Sequence, residues 1–179
     1  MKNIITKISV ATHKAIDRCD YDGAIIFIDD KKDMSLHPNI NRINNKLMLN
    51  VLDIEDPSVT GAFSDEDALK VKCFIDLLLS AKKEGETFDI LCSCKAGISR
   101  SPALAASLWI YLVGPDKDLE PVWNYHKYHP NRLVFSKMNA ILNPETTLTR
   151  TEIDKRIQIN REALSREIRC CRKKAFDKR

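Results

Sequence analysis

The sequence predicts an α/β fold: a central, mostly parallel sheet flanked by helices. Three observations lead there. The run Tyr21 to Ile28 is nearly continuously apolar and rich in β-branched residues, the composition of a strand buried on both faces inside a parallel sheet. Strand-like and helix-like stretches alternate along the chain, the order that lays helices over parallel strands. An apolar run, Ile90-Leu91-Cys92, leads through a glycine-containing turn straight into a helix-like segment, Pro102 to Leu112. With 179 residues, 44% of them hydrophobic and only five glycines, the chain fits one globular domain, 1–148, followed by a tail, 149–179.

Each element has its own signal. Ile4, Ile8 and Val10 predict a first strand, and Ala11 to Cys19 a short helix. The strand Tyr21 to Ile28 ends in Asp29-Asp30-Lys31-Lys32-Asp33; the composition is that of a solvated loop, while the position after a strand is that of a site rim. Residues 36–45 are polar and Asn-rich, and read as a loop. Lys46 to Leu52 reads as another strand, followed by an acidic loop from Asp53 through Asp56-Pro57 to Ser64. Ser64-Asp65-Glu66-Asp67 matches a capping box opening a helix. That helix, Asp65 to Lys83, has Ala68, Val71, Phe74, Ile75, Leu78 and Leu79 at helical spacing. Glu84-Gly85 ends it, and Phe88 to Ser93 is the strand that delivers Cys94. Beyond a break at Gly114-Pro115, Leu119 to Tyr128 reads as helical, with Pro121 tolerated in a first turn. His129-Pro130-Asn131 reads as a turn, and Leu133 to Leu142 as a helix that Asn131 is suited to cap.

Charge separates the two parts of the chain. The formal net charge is +4, yet residues 150–179 hold eleven Lys/Arg against five Asp/Glu, leaving 18 against 20 for residues 1–149. The basicity belongs to the tail, whose Ile153, Ile157, Leu164, Ile168, Cys171 and Ala175 lie near one helical stripe. The plain reading packs that stripe on the domain or on a second copy as a homo-oligomer. The sharper one takes it to an acidic partner, an anionic membrane surface or nucleic acid. No apolar run reaches the ~18 residues that span a bilayer, and residues 1–10 lack an apolar signal core. The expectation is a cytoplasmic protein with its six cysteines (19, 73, 92, 94, 170, 171) as free thiols. His13, His37, His126 and His129 show no metal-ligand spacing.

Chemistry concentrates in Cys94-Lys95-Ala96-Gly97-Ile98-Ser99-Arg100-Ser101. Successive N–H groups in such a turn form a concave anion nest, and the helix N-terminus behind it adds positive potential. Arg100 supplies a planar fork that grips two phosphate oxygens, which a lysine cannot do. A cysteine ending a core strand is ordinarily an inert packing group; here the nest and the Arg-Ser that follow suit Cys94 to nucleophilic attack on a phosphoryl group. Cys92, two residues earlier, reads as core packing.

At these residues the sequence resembles the cysteine-dependent protein tyrosine phosphatases, whose signature loop is Cys, five residues, then Arg-Ser. The form CKAGISRSPA looks most like the small dual-specificity branch, and the resemblance covers roughly residues 20 to 143. It implies a catalytic domain with that loop between strand and helix, acting without metal or other cofactor on phosphorylated proteins or small phosphomonoesters. By the same resemblance Cys94 is the nucleophile, and Lys95, Ala96, Gly97, Ile98, Ser99 and Arg100 bind substrate. Ser101 is similar to the hydroxyl that aids departure of the sulfur, though it also reads as a helix cap. The family's general acid is an Asp on a loop before the cysteine. Asp53 and Asp56 both qualify, with Asp53 favoured because it directly follows a strand. Asp65 and Asp67 read as helix-start charges. Asn131 after Pro130 matches a turn of dual-specificity enzymes.

One departure is Ser93, where the family usually has a His that braces the loop. It keeps open a catalytically weak phosphate-binding module as an alternative to an enzyme. Lys95 is also similar to phosphoinositide phosphatases, and with the basic tail it keeps a phosphoinositide or RNA 5′-phosphatase open as well. The second basic residue usual in phosphoinositide phosphatases is replaced here by neutral Ile98-Ser99.

Overall fold

A computed structural model describes residues 4–29, 38–114 and 127–146, together with Val122 and Lys155. Four strands, β1 (Ile5–Thr12), β2 (Gly23–Ile28), β3 (Lys46–Asn50) and β4 (Thr87–Cys94), form one sheet in the order β1-β4-β2-β3. Every neighbouring pair is parallel. The helices are α1 (Pro38–Arg42), α2 (Asp65–Ser80), α3 (Arg100–Val113) and α4 (Arg132–Leu142). The α/β expectation therefore holds, and the sheet is parallel throughout.

Period-2 alternation sorts the strand side chains onto two cores. Ile25 and Phe27 of β2, with Phe88, Ile90, Cys92 and Cys94 of β4, enter the larger core, where α2, α3 and α4 pack. Ala24, Ile26 and Ile28, with Leu91, enter a smaller core closed by Ile16, Ile40 and Ile43. This double burial is why β2 reads as an unbroken apolar run. The sheet order reverses at β2, whose neighbours are β3 on one side and β4 on the other. In parallel sheets the crevice outside the carboxyl ends of strands at such a reversal is where ligands sit.

Two local expectations are corrected. Ala11 and Thr12 do not open a helix: they extend β1, paired with Ser93 and Cys94, and only a single 3-10 turn, His13–Ala15, follows. Ladder pairing to β4 outweighs the helical preference of Ala11. The stretch read as loop at 36–45 holds α1, begun by Pro38, a favoured first helical residue, and anchored by Ile40, which is fully buried. The capping box is present as read: Ser64 Oγ accepts from Asp67 N, and the Asp67 carboxylate accepts from Ser64 N. α4 is capped by Asn131, whose side-chain oxygen accepts from Val134 N at 3.0 Å. Helix Leu119 to Tyr128 lies outside the described residues apart from Val122, Lys127 and Tyr128, as do Asp30 to Asp33. The tail stripe also lies outside them. Among the described residues no helix is long and apolar enough to cross a membrane.

Candidate active site

Cys94 is the last residue of β4, on the face covered by α3, and is 1% exposed. Its Sγ lies 3.1 Å from Ser101 Oγ in the first turn of α3. The sulfur thus faces the helix N-terminus. Cys92, one step back on the same face, is fully buried, and burial pushes its thiol up beyond any useful titration, with Cys94 adding to the effect. Cys19, Cys73, Cys92 and Cys94 are all free thiols. Ser93 points to the other face by strand parity, where its hydroxyl donates to Ala11 O at 3.1 Å. It ties β4 to the end of β1.

The five residues 95–99 join β4 to α3. Gly97 has φ +64, and a Cβ there would lie 2.8 Å from Thr12 N and 3.0 Å from Ala11 C. Both the left-handed backbone and the backbone-to-backbone contact exclude a side chain. The carbonyls of Ile98 and Ser99 accept from His129 N (2.9 Å) and Asn131 N (3.1 Å), so the 129–131 turn fixes the peptide orientation on one side of the loop. Among the described residues no acceptor faces the N–H groups of Ala96, Gly97, Ile98 and Ser99. Ser99 is the residue before α3, yet its side chain makes no cap bond. The first-turn donors of α3 are left for another acceptor. Lys95 and Ala96 are exposed, and Ile98 is 38% exposed.

Arg100, the first residue of α3, is 3% exposed. Its Nη1 donates to Asp29 Oδ1, just beyond β2, and to Val51 O, just beyond β3. Its guanidinium carbon lies 5.9 Å from the centre of the Phe27 ring. Its Nε is buried without a hydrogen-bond partner. A donor on a buried cation is costly to leave unpaired; it marks where an acceptor belongs.

The two acidic candidates differ sharply. Asp53 Oδ1 accepts from Ser99 Oγ at 2.7 Å and from Asn131 Nδ2 at 2.9 Å. This places Asp53 against the loop that begins at Cys94. Asn131 is 1% exposed and spends its other amide atom capping α4, so it can hold Asp53 with little freedom. Asp56 is exposed and closes its own turn, with Oδ1 accepting from Ser58 N (2.9 Å) and Ser58 Oγ (2.7 Å). Those two bonds hold its carboxyl below the usual range.

No family model matches the chain, and no curated protein matches it. The geometry alone therefore says what the residues can do. It brings Cys94, Gly97, Ser99, Arg100, Ser101 and Asp53 together, and leaves Asp56 in its separate turn. Asp65 serves at the start of α2, where it accepts from Lys137 Nζ at 2.6 Å. Among the described residues no group of three or more His, Cys, Asp or Glu side chains is placed to hold a metal ion. Sequence reasoning missed the grip of Asp29 and Val51 on Arg100. The available signal was the position of Asp29 at the carboxyl end of the most buried strand.

Proposed function

We propose that the chain hydrolyses phosphate monoesters, phosphotyrosine with or without phosphoserine and phosphothreonine, through a phosphocysteine on Cys94. The observation that carries this reading is the buried, unpartnered Nε of Arg100 beside the uncapped start of α3, to which the Cys94 sulfur also turns. A dianionic phosphoryl group would satisfy that nitrogen and the loop N–H groups together.

In the first step the Cys94 sulfur, as thiolate with its proton already released to solvent, attacks phosphorus and the P–O bond to the alcohol breaks. Asp53 gives its proton to the leaving oxygen. In the second step Asp53 takes a proton from water as the water oxygen bonds to phosphorus, releasing phosphate and the sulfur. The Ser101 hydroxyl, 3.1 Å from Sγ, donates to the departing sulfur. Transition-state charge on the phosphoryl oxygens is met by fixed donors that need no reorganisation.

The test is rapid mixing with an aryl phosphate. The expected result is a burst of phenol stoichiometric with enzyme, a trapped phosphocysteine, and loss of both in Cys94→Ser with phosphate binding retained. Phosphate binding without burst or turnover would instead favour the phosphate-binding module. Preference for inositides or 5′-triphosphate RNA over phosphopeptides would move the substrate assignment.

A further inference from the structure

We propose that Asp29 is the counter-charge that sets how tightly Arg100 holds an anion and how readily it lets one go. It touches Arg100 and not the substrate, and acts by its charge. The consequence for turnover rests on the phosphatase reading; the consequence for anion binding does not.

The guanidinium is held at one end only. Nη1 is shared between Asp29 Oδ1 and the Val51 carbonyl, which leaves the Nε–Nη2 edge as the two-pronged face for an oxyanion, and Nε is buried and unpartnered. A planar group pinned at Nη1 by two acceptors from different strands has its plane fixed. Positioning therefore survives if one acceptor is neutral, because Val51 O remains. The negative charge of Asp29 does something else. Arg100 is 3% exposed, while the Asp29 side chain is 29% exposed; the carboxylate neutralises a buried cation that would otherwise stand alone at high cost. When a phosphate docks on the opposite edge, the same carboxylate repels it across the guanidinium. The resting state is stabilised, the bound state opposed, and product phosphate leaves more readily.

No other described carboxylate pairs with Arg100. Asp53, the nearest functional acid in sequence to Val51, is engaged by Ser99 and Asn131. The two acids therefore act on separate parts of the site, and their variants are separable.

The experiment measures inorganic phosphate binding by calorimetry, and competitive inhibition by phosphate of aryl phosphate hydrolysis, for wild type and Asp29→Asn. Asparagine keeps the acceptor oxygen and removes the charge. The expected result is phosphate held about tenfold more tightly by the variant, the scale for removing one partly screened charge on the far side of the guanidinium. The phosphate-free melting temperature falls, and phosphate raises it further than in wild type. Asp29→Ser, smaller and also neutral, carries the same expectation if Asp29→Asn does not fold. A residue that only braced the fold would lower the melting temperature without tightening phosphate. Unchanged or weaker phosphate binding in the neutral variants overturns the inference alone. Phosphate binding to wild type with no turnover overturns the phosphatase reading and leaves the inference standing; no phosphate binding to wild type overturns both.

Discussion

The two ends of the sheet both hold an arginine against an aspartate, and they use it differently. At the amino ends of β2 and β4, Arg18 Nη2 meets Asp89 Oδ2 at 2.6 Å, Lys7 reaches the same oxygen at 3.5 Å, and Lys82 meets Asp22 at 2.7 Å. Arg18 is one-third exposed and stacks on the Tyr21 ring at 4.0 Å. There each cation lies against a carboxylate oxygen, with Asp89 Oδ1 itself buried and unpartnered but, among the described residues, no donor edge left open, and the cluster ties segment 18–22 to β4. At the carboxyl ends, Arg100 is almost wholly buried, has one nitrogen engaged and another left without a partner. The same residue pair is a fastener at one end and an unfinished coordination shell at the other.

Substitution of Arg100 should have the largest effect. Arg100→Lys keeps the charge but loses the fork; turnover of an aryl phosphate should fall by about 10²–10³, the scale of one lost transition-state donor. If Arg18→Ala cuts turnover equally, the carboxyl end of the sheet has no special claim to the chemistry. Asp53→Ala should slow substrates with poor leaving groups by about 10²-fold, while Asp56→Ala leaves them near wild type, as general-acid help predicts. Rates across a series of leaving groups decide between the two, and the reverse pattern would transfer the acid role to Asp56. Arg18→Ala should cost at most about 1 kcal/mol in denaturant unfolding, with turnover preserved, because its pair is part-exposed.

The smallest effect concerns acid. Burial pushes the Asp22 carboxyl up, but the hydrogen bonds from Lys82 Nζ and Asp89 N outweigh it and leave it below its ordinary value. A carboxyl depressed on folding stabilises the protein above its unfolded value, about 3.9, and loses that contribution as pH falls through the folded one. Asp22→Asn should therefore flatten the acid limb of the stability profile below about pH 4, measured by urea unfolding. An unchanged limb would remove Asp22 from the cluster's role.

Much of the scaffold was legible from local pattern. The double-sided burial of β2 wrote a continuous apolar run, and Ser64 with Asp67 and Asn131 with Val134 are short-range caps that a chain shows without its fold. The helix expected at Ala11 to Cys19 failed because eight residue pairs with β4 hold β1 extended through Thr12. α1 was missed because a five-residue helix among asparagines is stabilised by burying Ile40 and Ile43, which no local period announces.

The site divides the same way. The strand, the Gly97 turn and the helix start that align Cys94, Arg100 and Ser101 are written in local order, since those residues are neighbours along the chain. Which acid lies against that loop depends on folding, because Asp53 meets Ser99 and Asn131 across separations of 46 and 78 residues. Folding alone paired Arg100 with Asp29, 71 residues away. Parallel strands bring their carboxyl ends together whatever their distance in sequence, and charges meeting there leave no periodicity to read.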